Sequence, residues 1–339
     1  MNLLKYTIRR LFMVIPVVFG VFIITFILSR IMPGNPFLEP GIMIKGDPDF
    51  IRRQLEFYGL EEPIYIQFFI YTENMFKGDW GVSLAIAEGI PVWYIIRAKI
   101  PITLEIGLYS ILLSSLIGVR AGVTSAIHKN KPRDAIVRTL AIFGSSIPVF
   151  MLGILSQHYL ALKLRLFPVA GFKSIIFKDP IQITSFRLID CLITGEFLLF
   201  IDTVWHLFLP VVCLTLVQLA DVTRITRSSM LEVLEMDYVR SARAKGCKEK
   251  DVIKKHALRN ALIPTVTVIG VRFASIFGGA ILLETTFNLK GFGMLFVEAI
   301  MGRDYFVINA LVFIISMVFA TIVVVVDILY AVIDPRIRY

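Results

Sequence analysis

Charged residues are scarce in this 339-residue chain, at 18%, whereas 57% of its residues are hydrophobic and 27 are phenylalanine. This composition excludes an ordinary soluble domain and is typical of an integral membrane protein. The chain has only three cysteines, which are widely spaced, so neither a disulfide framework nor a metal-ligand motif follows from them. The net charge of +9 is explained by basic loops on the cytoplasmic side of a membrane rather than by nucleic acid binding.

Several catalytic signatures are also missing from the sequence. It contains no GxxxxGK[ST] phosphate loop, no HExxH and no GxSxG. The chain is therefore predicted to be no enzyme and to bind no metal or cofactor itself. No internal repeat is evident, which disfavours a secondary transporter that works alone.

Long apolar runs predict six membrane-spanning helices, because about twenty apolar residues cross the bilayer core. The first run is too long for the apolar core of a cleaved signal peptide, and we expect it to be retained. Pro16, Pro148 and Pro210 are expected to kink or start helices. The six predicted spans are Leu11–Ser29 and roughly 102–127, 137–163, 205–226, 262–287 and 305–332.

Loop charges orient these spans. Lysine and arginine are concentrated at the N-terminus, in the loop after the second span, in the loop after the fourth and in the C-terminal tail. These segments lie on one side, which the positive-inside rule makes cytoplasmic, so both termini are predicted to be inside. The predicted organisation is a tail and first span in 1–30, an external region in 31–100 and a core in 101–339, with an external loop at about 164–204 and a cytoplasmic loop at about 227–261.

The external region predicts two amphipathic helices. Asp47 as N-cap, Pro48 at the first helical position and Gly59 as a stop bound the first. Pro63–Gly78 predicts the second, with one apolar face formed by Ile64, Phe68, Tyr71 and Met75.

The stretch "MDYVRSARAKGCKEKDVIKKHALRNALIP", Met236–Pro264, is basic and helix-prone within a mostly apolar chain. It predicts a hairpin of two short helices joined at Gly246. Charge alone leaves two interpretations open, a loop that only fixes topology or a docking element for a soluble partner. Ala242 and Gly246, four residues apart, are expected to share an open face that accommodates a partner.

This stretch resembles the cytoplasmic coupling loop of ABC importer permeases in the dipeptide/oligopeptide/nickel branch. "RIMPGNP", "YGLEEPIYIQF", "KGDWGVSL", "SSIPVFMLGI", "LETTFNLKGFGML" and "DILYAVIDPRIRY" resemble the same branch, in order along nearly the whole chain. The broader superfamily begins this loop with Glu-Ala-Ala, whereas this chain has Arg240-Ser241-Ala242. An acidic contact at Arg240 is therefore not expected.

The resemblance implies an all-α permease of the type I ABC importer architecture in the prokaryotic inner membrane. Its partners would be a second, homologous permease, two cytoplasmic ATPase subunits that use ATP and magnesium, and an external substrate-binding protein. The implied cargo is a dipeptide or oligopeptide, with nickel chelates or haem as alternatives. The residues expected to contact an ATPase subunit are Tyr238, Arg240, Ser241, Ala242, Arg243, Ala244, Lys245 and Gly246.

Ionisable residues inside the predicted spans are candidates for the translocation path, because such residues usually face a bundle interior or a wet cavity. Asp221, Arg272 and Glu284 are the candidates. For Asp221 a local pair with Arg224 is the alternative, and for Glu284, as for Glu105, a position near the outer surface that needs no partner. The Gly278-Gly279 pair is expected to allow close helix packing, with a hinge as the alternative.

Overall fold

The fold was obtained as a computed structural model, which describes residues 3–31, 52, 56–57 and 59–333. These residues form helices and connecting turns, with only an isolated bridge between Val82 and Pro91. In chain order the helices are α1 (Leu3–Ile31), α2 (Ile64–Phe76), α3 (Val92–Ile127), α4 (Pro132–Ser146), α5 (Val149–Ser156), α6 (Arg187–Thr194), α7 (Phe197–Leu234), α8 (Asp237–Ala244), α9 (Glu249–Asp251), α10 (Leu258–Ala274), α11 (Ile276–Gly279), α12 (Ile281–Phe287), α13 (Phe292–Met301) and α14 (Tyr305–Ile333).

Four of these helices are long and apolar enough to cross a membrane: α1, α3, α7 and α14. A fifth crossing is available if α4 and α5 are taken as one broken span. The all-helical membrane class is thus confirmed, whereas six uninterrupted spans are not found in the described chain. The predicted first, second, fourth and sixth runs each lie within one long helix.

The predicted third span, 137–163, is bent rather than straight. Its two halves meet at 95° around Ile147 and Pro148. Proline lacks the N–H that would continue the ladder, and it forces the residue before it out of the helical region. Ile147 accordingly has extended angles, φ −100° and ψ 125°, and Pro148 caps α5. The α5 helix then widens into a π-helical segment, Gln157–Lys163.

The predicted fifth span, 262–287, is divided into α10, α11 and α12. The expectation of close packing at Gly278-Gly279 is wrong, because a Cβ at either position would meet no atom within 4 Å. Close approach occurs instead between α3 and α7. A Cβ at Gly118 would lie 2.8 Å from Val222, and one at Gly122 would lie 2.6 Å from Thr226. This spacing of small residues is a common device for bringing membrane helices together.

The predicted helix at Pro63–Gly78 is confirmed as α2, with Tyr71 and Met75 buried and Phe68 half-buried. Ile64 is more exposed than expected. Phe22 and Phe26 of α1 pack on Phe68 and Tyr71 with ring centroids 5.3–6.0 Å apart. The amphipathic helix predicted from Asp47 lies mostly outside the described residues.

Asp304, just before α14, fixes the turn that follows α2. Its carboxylate accepts hydrogen bonds from the Ser83 hydroxyl (2.6 Å) and from the backbone N–H groups of Leu84 (2.9 Å) and Ala85 (3.1 Å). It also accepts from the N–H of Val307, in the first turn of α14. Asp304 is fully buried, so each of these donors depends on it.

We expect Asp304→Asn to destabilise the protein by about 1–3 kcal/mol, because the amide replaces one acceptor oxygen and leaves buried N–H groups unpaired. Thermal unfolding of the detergent-purified chain measures this. Glu298→Gln, an exposed acid in α13, is the matched control and should leave the melting temperature unchanged. Equal melting curves for the two variants would contradict the role given to Asp304.

Candidate coupling hairpin

The predicted hairpin is present. The α8 helix ends at Ala244, and Gly246 adopts a left-handed conformation with φ +79°. Two hydrogen bonds close the turn, from the N–H of Gly246 to the carbonyl of Arg243 and from the N–H of Cys247 to the carbonyl of Ala242. A side chain at Gly246 would have room but would be strained by the backbone, so glycine is required for conformation rather than for close approach.

The second arm of the hairpin runs without interruption into the membrane domain. The short helix α9 continues as a π-helical segment, Val252–Ala257, and then as α10. The first arm follows α7 after a break of two residues, Glu235 and Met236. Both arms are therefore attached directly to helices of the membrane domain.

A cluster of buried apolar side chains holds the two arms together, and we call it the hairpin core. It consists of Ala126, Met230, Val239, Ala242, Val252, Ala257 and Ala261. These residues come from α3, α7, α8, the π-helical segment and α10. A fully buried valine or methionine contributes roughly 1.5–3 kcal/mol through the hydrophobic effect. The hairpin core therefore fixes α8 to the ends of α3, α7 and α10.

Ala242 does not lie where the sequence suggested. It is only 7% exposed and packs in the hairpin core, whereas Gly246 is exposed at the turn. The expectation that the two residues share one open face is therefore wrong. The reason is that Val239 and Ala242, three apart, form the apolar stripe by which α8 packs on its own chain. A four-residue spacing places two residues on one face only in an unbroken helix, and α8 ends between Ala242 and Gly246.

The other residues of the predicted contact set are exposed. Tyr238 is 40% exposed, and its hydroxyl accepts a hydrogen bond from Asn260 of α10 at 2.8 Å. Arg243 donates to both oxygens of Glu249 across the turn, at 2.9 and 3.2 Å. These hydrogen bonds lower the pKa of Glu249, so the pair stays ionised at neutral pH. The remaining exposed residues of the set are Arg240, Ser241, Ala244 and Lys245.

A second connection joins the first turn of α4 to α7. Asp134 is fully buried and accepts two hydrogen bonds from Arg227, at 2.7 and 3.0 Å. It also accepts from the N–H of Asn130 and the hydroxyl of Ser125. Arg227 lies in α7 shortly before Met230 of the hairpin core. The sequence gives no sign that Asp134 is buried, because a single aspartate among the basic residues 129–138 is also expected in an exposed cytoplasmic loop.

Asp221 and Arg272 are brought together within the membrane domain. The carboxylate of Asp221, on α7, pairs with Arg272 of α10 and with Arg224 at 3.0 Å. The local pair with Arg224 that was raised for Asp221 is thus present, together with a pair to a second helix. Arg272 also lines a cavity of about 370 Å³ with Gln218, Ser275 and the exposed glycines of α11.

Glu284 lies apart from that cavity. It is fully buried and accepts hydrogen bonds from the Thr103 hydroxyl and from the N–H of Met294 at 3.0 Å. Glu105 is equally buried and accepts from the N–H groups of Arg187 (3.1 Å) and Leu188 (2.8 Å). The expectation that these two acids need no partner is wrong, since each accepts from N–H groups in the first turn of a helix, α13 for Glu284 and α6 for Glu105, that burial would otherwise leave unpaired.

The described residues contain no group of three or more histidine, cysteine or acidic side chains placed to hold a metal ion. The three cysteines are unpaired, with Cys191 and Cys213 buried and Cys247 exposed in the hairpin turn.

Comparison with known proteins gives relatives along the full chain. The dipeptide transport system permease protein DppB of Alkalihalophilus pseudofirmus is 38% identical over 340 residues, covering 99% of this chain and all of that protein. DppB of Escherichia coli K12 is 37% identical and the oligopeptide transport system permease protein AppB of Bacillus subtilis is 36% identical, and the alignments cover 98–99% of every chain.

Among solved structures, the fold is similar to a chain of the MetNI methionine ABC transporter in an inward-facing conformation. The TM-score is 0.54 at 14% identity, covering 71% of this chain and 97% of that one. This likeness supports the fold alone. Residues 118–339, which include the hairpin, match the model of the family described as binding-protein-dependent transport system inner membrane component. With full-length relatives well above 30% identity, the chain belongs to that family of inner-membrane permease subunits.

Proposed function

We propose that this chain is one membrane subunit of an ATP-driven peptide importer, and that α8 couples it to a separate ATPase subunit. The observation that carries the proposal is the hairpin core, which joins the exposed side of α8 to α3, α7 and α10. The dipeptide and oligopeptide permeases to which the chain is similar support peptides as the cargo. The other partners are a homologous permease and an external binding protein.

The mechanism follows from this attachment. ATP binding closes the ATPase pair, and the groove that holds α8 moves with it. Because α8 is fixed to the membrane helices, the displacement is transmitted to α7 and α10 rather than absorbed in a flexible loop. The ATPase shifts the equilibrium between inward-open and outward-open states only through contacts that differ in free energy between them.

The same displacement acts on the pair formed by Asp221 and Arg272. The two residues lie on different helices, α7 and α10, which both begin or end at the hairpin. We place these two charges at the inner part of the translocation path, where the cavity lined by Arg272 and Gln218 opens. Glu284 is assigned a structural role, because it accepts from the Thr103 hydroxyl and from an N–H in the first turn of α13.

The proposed topology retains six crossings with both termini in the cytoplasm. Four are the long helices, the third is the bent pair α4 and α5, and the fifth is the divided segment α10–α12. The divided crossing is compatible with a membrane because non-helical backbone at membrane depth is tolerated where protein or a cavity surrounds it. Its break lies at the glycines that line the cavity beside Arg272.

Single cysteines introduced at Lys131 and at Glu61, in a variant with the native cysteines removed, test the topology. An impermeant thiol reagent added to intact cells, with the outer membrane permeabilised where one is present, should label the Glu61 site and not the Lys131 site, because the two loops lie on opposite faces. Labelling of both positions in sealed cells would exclude the proposed orientation.

Bulky substitution on the exposed side of α8 tests the ATPase contact. Ser241→Trp and Ala244→Trp should leave the chain folded and inserted but reduce ATPase co-purification and transport strongly, since overpacking a tight contact costs about 1–3 kcal/mol. Lys248→Ala is the control, because an exposed charge contributes only about 0–1 kcal/mol. Normal transport by both tryptophan variants in reconstituted vesicles would mean that the hairpin only fixes the topology of the chain and that α8 is not the ATPase contact.

Loosening the hairpin core should give a different defect. Val239→Ala removes a fully buried side chain while leaving the exposed side of α8 intact. We expect the ATPase subunits still to bind, and the ratio of peptide transported to ATP hydrolysed to fall, because α8 is held less firmly. Val271→Ala makes the same chemical change at an exposed position of α10 and is the control. An unchanged ratio in Val239→Ala would mean that the hairpin core does not transmit the motion.

A further inference from the structure

A second cavity lies at the opposite end of the molecule from the hairpin. It has a volume of about 540 Å³ and is formed by the first turns of α3 and the loop that leads into α6. Small-molecule sites in proteins usually measure about 300–1,000 Å³. Its lining combines charged groups with apolar surface, in contrast to the mainly apolar cavity beside Arg272. The charged residues of the lining are Arg97, Glu105, Asp179, Arg187 and Asp190.

Both arginines of the cavity are held against aromatic rings. The guanidinium carbon of Arg97 lies 4.5 Å from the ring centroid of Tyr94, and that of Arg187 lies 4.9 Å from the ring centroid of Phe172. Stacking of this kind restricts a long side chain while leaving the N–H groups at the edge of the guanidinium available. Such an edge matches the geometry of a carboxylate.

The three acids of the cavity differ in what they can still bind. Glu105 and Asp190 are fully buried and are already hydrogen-bonded. Glu105 accepts from N–H groups in the first turn of α6, and Asp190 accepts from the N–H and hydroxyl of Thr184, both at 2.7 Å. Asp179 is 61% exposed and contacts Arg187 at 2.9 Å and Lys173 at 3.9 Å. The groups exposed to a ligand are therefore Arg97 and Asp179, with Arg187 held on Asp179.

We propose that this cavity binds a short peptide by its two charged ends. Arg97 takes the C-terminal carboxylate, Arg187 positions Asp179, and Asp179 takes the N-terminal ammonium. The rings of Tyr94 and Phe172 and the side chain of Ile102 supply apolar contact for the peptide side chains. The assignment rests on the proposed function for the choice of peptide, and it adds a site at which this subunit itself selects the cargo.

The size and the charges together favour this ligand over simpler ones. An inorganic anion would use the arginines but be repelled by Asp179. A metal ion would find only one available carboxylate, which Arg187 and Lys173 already contact. A zwitterion with its charges separated by a short chain matches both exposed groups, with its carboxylate on Arg97 and its ammonium on Asp179.

The test measures equilibrium binding of radiolabelled dialanine to the complete importer complex in lipid nanodiscs, without ATP and without the external binding protein. The comparison ligands are dialanine amide, which lacks the carboxylate, and N-acetyl-dialanine, which lacks the ammonium. For the wild-type complex we expect saturable binding that either modification weakens about tenfold, the equivalent of 1.4 kcal/mol.

Two variants assign each end of the peptide. In Arg97→Gln the amide should bind as well as dialanine, because the protein no longer has the group that pairs with a C-terminal carboxylate. In Asp179→Asn the N-acetyl peptide should bind as well as dialanine, because the protein no longer has the group that pairs with an N-terminal ammonium. A merely structural role would weaken all three ligands equally. Arg165→Gln, an exposed arginine of the same outer loop outside the cavity, is the matched control and should retain the wild-type pattern.

Absent binding in the wild type, or equal affinity for all three ligands, overturns the site. If the same complex nevertheless imports peptides in vesicles, the proposed function stands without it. The charge-dependent binding pattern supports the site even in a complex that fails to couple ATP hydrolysis to transport, because binding is measured without ATP. Loss of binding-protein docking in Arg97→Gln, with no binding of free dialanine, would assign the cavity to an acidic side chain of that protein and reject the peptide site.

Discussion

The attachment of α8 to the membrane helices depends on the packing of small apolar side chains in the hairpin core. Alanines at four of its seven positions let α3, α8 and α10 approach closely, and Met230, Val239 and Val252 fill the space between them. The exposed side of α8 therefore cannot shift without moving the ends of α3, α7 and α10 or opening a buried cluster. An exposed, basic hairpin without such a core would satisfy the positive-inside rule equally well but would have no means of transmitting force.

The polar groups of the membrane domain stabilise breaks in helices rather than forming one continuous pathway. Glu284 and Glu105 accept hydrogen bonds from N–H groups at the starts of α13 and α6, and Asp304 accepts from an N–H in the turn that follows α2. In an apolar environment such backbone needs a partner, and a buried carboxylate supplies two acceptor oxygens. Asp221 differs, because its partners are the side chains of two arginines, which can exchange without unfolding any backbone.

The sequence predicted the features that depend on local chemistry. The α2 helix, the hairpin with its turn at Gly246 and the break at Pro148 follow from apolar periodicity, a glycine in a left-handed turn and the missing N–H of proline. It did not predict which side of α8 is buried, since Ala242 is small enough to face either a partner or its own chain. It also misplaced the close helix contact. Gly118 and Gly122 have the four-residue spacing that places small residues on one helix face, whereas Gly278 and Gly279 are adjacent, and the structure brings the former pair against α7.

Rigid attachment of α8 to the membrane helices is tested most directly by a distance within this chain. Spin labels at Asp237, in the first turn of α8 and outside the predicted contact set, and at Arg120 on α3, both exposed, can be measured by pulsed electron spin resonance in the reconstituted complex. The account predicts the same distance distribution with and without bound ATP, while the contact between the two ATPase subunits changes. A distribution that shifts when ATP binds would show that α8 moves independently of the membrane helices, and would contradict coupling through the hairpin core.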